Sequence, residues 1–134
     1  MVLTKNIVTN EIKETEAQHL LSSTHQVFDT INGQFIPIRS IIVCWSNKFI
    51  LIKKNTIDKD KPNNNFFITP GHMLRVDGKM IKARDVKKSM RITTDSQKIY
   101  SICTDHSVPL LVNNLEVMSW DYDRWLNNSL AKST

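Results

Sequence analysis

The chain has 134 residues, 40% hydrophobic and 23% charged, with a net charge of +5 and a pI near 9.3. That balance belongs to one ordinary globular domain and excludes a disordered chain. The longest apolar stretch, Ile41-Ile42-Val43 with Phe49-Ile50-Leu51-Ile52, is interrupted by Ser46-Asn47-Lys48, so no bilayer-spanning segment and no membrane partner are expected. The N-terminus also lacks the basic, apolar, small-residue order of a secretory signal, and a soluble protein is expected.

In chain order, Val2-Leu3-Thr4 reads as a short first strand. Asn10 as a cap, the acidic residues Glu11, Glu14 and Glu16, and the spacing of Ile12, Ala17, Leu20 and Leu21 predict a short helix over 10–21. His25 to Thr30 reads as a strand, followed by Asn32-Gly33, a pair that favours a tight hairpin turn. Phe35 to Val43 and Phe49 to Lys53 are rich in β-branched and aromatic residues and read as separate strands. Residues 54–65 have loop composition. Phe66 to Thr69 is again strand-like, and Asp77-Gly78 predicts a hairpin between Met73–Val76 and Lys79–Ala83. Short strands follow at Met90–Thr93, Ile99–Thr104 and Leu110–Val112, with Asn113-Asn114 as a turn. The tail near 121–130 puts Tyr122, Trp125, Leu126 and Leu130 on one helical face. Many short strands with turns between them predict one all-β domain, barrel-like or a sandwich, spanning 1–134.

The lysines are scattered and form no helical stripe interleaved with aromatics, so the charge reads as a solvated basic surface. Cys44 and Cys103 both fall in strand-like runs, and buried reduced thiols in an intracellular setting are expected. Cys103 and His106 supply half a metal-ligand set with no second cluster, so neither a metal nor a cofactor is expected. Trp45, Trp120 and Trp125 read as residues that close the barrel or dock the tail.

The stretch from Pro62 to Val86, centred on Thr69-Pro70-Gly71-His72, resembles the central block of Hint domains, the Hedgehog/intein self-processing family. There a Ser/Thr, two spacers and a His end one strand, a hairpin follows, and an Ala then a Val or Leu close the unit. The upstream proline and long loop look most like the Hint variant of bacterial and giant-virus proteins. Val27-Phe28-Asp29-Thr30, Pro37-Ile38, Ile99 to Ile102 and Leu110 to Asn114 extend the likeness over roughly residues 25–120.

The resemblance implies a horseshoe of short strands and a self-directed acyl chemistry. A leading Cys or Ser attacks the carbonyl before it, while the family's Thr holds the amide and its His protonates the departing nitrogen. On this chain the resemblance gives Thr69 the orienting role and His72 the proton-transfer role, with His106 as a second acid/base or orienting partner. No cysteine precedes Cys44. With Val2–Thr4 as first strand the nucleophile falls ahead of Met1; with a start near Leu20, Ser22 or Ser23 would serve. No His-Asn pair is present, so protein splicing is not expected.

Three functions are therefore open: a Hint-like structural or protein-interaction module without autoprocessing, in a viral particle or other larger assembly; a self-cleaving Hint domain or the C-terminal part of one; and a basic nucleic-acid-binding β-barrel.

Overall fold

The computed structural model describes residues 1–124 and 126. The strands among them are β1 (Val2–Asn6), β2 (Ile12–Thr15), β3 (His25–Asp29), β4 (Gln34–Pro37), β5 (Ser40–Ile52), β6 (Phe66–Ile68), β7 (Met73–Val76), β8 (Lys79–Lys82), β9 (Met90–Thr104), β10 (Pro109–Val112), β11 (Leu115–Met118) and β12 (Trp120–Asp121). Two 3-10 turns, Ala17–His19 and Ala83–Asp85, complete the fold, which is all-β as expected. One sheet runs β2-β1-β3-β10-β11-β7-β8 with β4 against β3; the other runs β12-β9-β5-β6. Among the described residues no helix is long and apolar enough to cross a membrane.

Local turn chemistry sets the hairpins. Asp77 and Gly78 (φ 51° and 80°) join Val76 to Lys79, and Asn113 and Asn114 (φ 48° and 64°) join Val112 to Leu115. Both are two-residue turns with two left-handed centres, the geometry whose twist matches flanking strands. The β3–β4 hairpin instead uses a four-residue loop, Thr30 to Gly33. The buried Asp29 carboxylate accepts from the Ile31 and Asn32 amides and from Asn32 Nδ2, while Gly33 supplies the left-handed residue.

The helix expected over 10–21 is replaced by β2 and the Ala17–His19 turn. Asn10 is left-handed (φ 60°) and closes the β1–β2 turn, with its amide on the Asn6 carbonyl. Of the four residues at helical spacing only Leu20 is buried; Ile12 and Leu21 are 56% and 57% exposed, so a helix would have had no apolar face to dock. Pairing with β1 satisfies the same backbone groups and seats Thr15 Oγ1 2.8 Å from Thr4 Oγ1 in the interior.

The separate strands expected around 35–53 and 90–104 are joined. β5 and β9 pair continuously from Ser40–Cys103 to Leu51–Met90, with one irregularity between Ser46 and Lys48. Residues 93–98 are all exposed. A ribbon wetted on both faces needs no apolar alternation, so its polar centre imitates a turn in sequence. The ribbon links two cores. β5 delivers Ile50 and Ile52 to a cluster with Ile68, Leu74, Leu115 and Val117; β9 delivers Ile102 to a cluster with Val2, Leu20, Val27, Ile38 and Leu110. Each fully buried Ile or Leu is worth roughly 1.5–3 kcal/mol relative to exposure, so both ends of the ribbon are firmly anchored. The helical tail expected near 121–130 falls largely outside the described residues; within them β12 ends at Asp121 and residues 122–124 begin a helical turn.

Candidate functional site

The turn after β6 holds Thr69 and His72. The His72 amide donates to the Thr69 carbonyl at 3.2 Å and closes the turn. The Ala83–Asp85 turn braces it from behind: the Ala83 amide donates to the His72 carbonyl and the Arg84 amide to the Pro70 carbonyl, at 2.8 and 3.0 Å. Four residues are thereby locked by backbone bonds alone, so the side chains of Thr69 and His72 stand on a rigid base.

Both line a cavity of about 540 Å³ between the ribbon and the larger sheet. Phe49, Phe66 and Phe67 form one wall, Ile99 to Ile102 of β9 another, and Val112, Val117 and Met118 a third; Met1 and Val2 stand at the same cavity. The first strand is held there at its start: the Met1 nitrogen donates to Asn113 Oδ1 at 2.9 Å, and the Asn113 amide donates to the Met1 carbonyl at 2.8 Å. A left-handed turn residue of β10–β11 thus anchors residue 1 at the cavity that Thr69 and His72 also line. A second cavity of about 380 Å³ shares Thr69, His72, Met118 and Ser119 with the first and extends to Gly71, Met73 and Trp120.

His72 Nε2 lies 2.7 Å from the Met118 carbonyl oxygen. A carbonyl can only accept, so Nε2 carries the proton, and in the neutral ring Nδ1 holds the lone pair. Burial pushes the imidazole below its ordinary value of 6.5; the bond to Met118, which favours the charged form, offsets this only in part. At neutral pH the ring is therefore an uncharged base. Nδ1 and the Thr69 hydroxyl have no hydrogen-bond partner among the described residues.

The Met118 carbonyl is itself positioned by a buried chain of hydroxyls. Val108 N–H donates to Ser119 Oγ at 3.0 Å, Ser119 Oγ and Thr104 Oγ1 are 2.6 Å apart, and Thr104 Oγ1 donates to the His106 carbonyl at 2.5 Å. Because the single Thr104 hydroxyl proton goes to His106, Ser119 must donate to Thr104, and the direction of the whole chain is determined. Ser119 N–H closes it on the Val108 carbonyl at 2.9 Å.

His106, expected as a possible second acid/base, is exposed in the segment between β9 and β10, and its side chain lines neither cavity. It contributes its backbone carbonyl to the hydroxyl chain. The structure brings Thr69 and His72 together with Met1 and does not bring in the His106 ring. Met118 and Ser119, which orient His72, had no signal in the sequence, since one acts through a main-chain oxygen and the other resembles any strand-end serine.

Neither thiol belongs to the site. Cys103 is fully buried in β9, and burial, reinforced by the negative charge of Asp121, pushes it up to about 11. Cys44 is half-buried on β5. Among the described residues no group of three His, Cys, Asp or Glu side chains could hold a metal ion. The chain matches no protein-family model and no curated protein sequence.

Proposed function

We propose that the chain is a Hint-type module that performs no peptide-bond cleavage with its own side chains and serves as a structural or protein-interaction domain. One observation carries the reading: Thr69, His72 and residue 1 share one cavity, the juxtaposition that a self-processing site of this type requires. The absence of cleavage is supported by what stands there. Ser22 and Ser23, the nucleophiles of the later register, line neither cavity, and the thioether of Met1 has no proton to lose. Cys44 and Cys103 line neither cavity. An uncharged His72 is also poorly suited to protonating a departing amine. For partners, Val43 and Trp45 on the ribbon are 50% and 63% exposed and offer apolar contact area on a wetted strand pair.

A fusion joining a folded reporter directly ahead of Met1 tests this reading. Incubated with a strong thiol near neutral pH, the fusion keeps its intact mass, and His72→Ala behaves identically. Cleavage at the junction that disappears in His72→Ala would instead establish the self-cleaving alternative.

A further inference from the structure

We propose that the cavity between ribbon and sheet binds a small uncharged amphiphile, an apolar chain bearing one hydroxyl or amide group, with its head between Thr69 and His72. A volume of about 540 Å³ lies within the range of sites that enclose small ligands. The walls are mainly aromatic and aliphatic, and no Asp or Glu lines them. Phe67 and Met1 are 56% and 44% exposed, which leaves an apolar mouth open to solvent. Apolar walls without a partner gain by covering, and this drives the chain of the ligand inward.

The polar contacts select the head. Thr69 Oγ1 offers one donor and free acceptor capacity, and His72 Nδ1 offers an acceptor, because its other nitrogen is committed to Met118. An alcohol or primary amide matches that pair, donating to Nδ1 and accepting from the threonine. A carboxylate has no proton to donate to Nδ1 and would find only the Thr69 hydroxyl as a donor at the head, so it loses hydration that the pair does not replace. The proposal uses the same Thr69/His72 pocket as the Hint reading but requires no bond breaking, so the intact-mass result and the binding result can fail separately.

The experiment titrates the full chain with 1-hexanol, 1-octanol and sodium octanoate, followed by methyl and imidazole NMR. Saturable shifts at Ile68, Ile99, Ile102 and His72 are expected with both alcohols, with affinity rising by up to about four-fold per methylene. Octanoate is expected to bind at least about ten-fold more weakly than 1-octanol, as an unpaired buried charge requires. Thr69→Val, which keeps the shape and removes the hydroxyl, should weaken 1-octanol about five-fold. Ile99→Trp, placed on the ribbon wall, should abolish the shifts while the amide spectrum stays folded. Absence of saturable shifts, octanoate binding as tightly as octanol, or shifts centred on Val43 and Ile7 would each overturn the proposal.

Discussion

His72 donates from Nε2 to the carbonyl of Met118, a bond of 2.7 Å between residues 46 positions apart in the chain. It ties the β6–β7 turn to the end of β11, selects the tautomer of the ring and withdraws one nitrogen from chemistry. Whatever His72 does, it does through Nδ1, and mostly as a neutral group.

That state predicts a pH dependence. The folded value of His72 is lowered from 6.5 by burial, so between the two values the unfolded chain binds more protons than the folded one. Stability is full above the unfolded value and falls as pH drops below about 6.5, levelling only beneath the folded value. Urea midpoints measured from pH 8 to pH 5 should decline over that window, and His72→Gln should flatten part of the decline. An NMR titration giving His72 a value above 6.5 contradicts the burial argument.

The hydroxyl chain predicts non-additive losses. Thr104→Val strands the Ser119 donor and the His106 carbonyl, and Ser119→Ala strands the Val108 amide. Each should cost about 1–3 kcal/mol in denaturant unfolding. The double variant should cost less than the sum, since both remove the same 2.6 Å contact. Additive losses would mean that the two hydroxyls act independently.

Thiol reactivity should separate the cysteines. With Cys103 fully buried and pushed up to about 11, only about one molecule in a thousand carries its thiolate at pH 8. Native protein should therefore consume one equivalent of a thiol reagent rapidly, at Cys44, and the second only on unfolding. Cys44→Ser should abolish the fast phase; rapid labelling of Cys103 in that variant contradicts the structure.

The glycines differ in what they require. Gly78 has φ +80° in a left-handed turn, so Gly78→Ala should cost about 1–2 kcal/mol. Gly71, although it sits inside the Thr69–His72 segment, has no left-handed φ, and an added Cβ meets nothing within 4 Å. Gly71→Ala should stabilise by about 0.4–1 kcal/mol through the unfolded chain. Thermal melts of the two variants moving in the same direction would refute this distinction.

Legibility followed the range of the interactions. Asp77-Gly78 and Asn113-Asn114 announced their turns because left-handed backbone is a matter of each residue's own sterics. Thr69 and His72 were legible as a pair because only Pro70 and Gly71 separate them in a segment that resembles the central Hint block. Residues 10–21 misled, since acidic residues and a loose apolar spacing suit a helix until the edge of β1 offers a partner. Ser46-Asn47-Lys48 misled in the opposite way, being polar inside a continuous strand.

The sequence by itself determined the all-β class and the two-residue turns, consequences of local backbone preference and of period-two patterning, while the Thr69–His72 segment stood out only through its resemblance to Hint domains. Only the tertiary structure decided that residue 1 lines the same cavity as that segment, held by Asn113 from 112 positions away, and that Met118 rather than His106 faces the imidazole. The physical reason is that these contacts run through main-chain atoms and distant strand pairings. A carbonyl oxygen has the same identity at every residue, and only the assembled sheets determine which one stands beside His72.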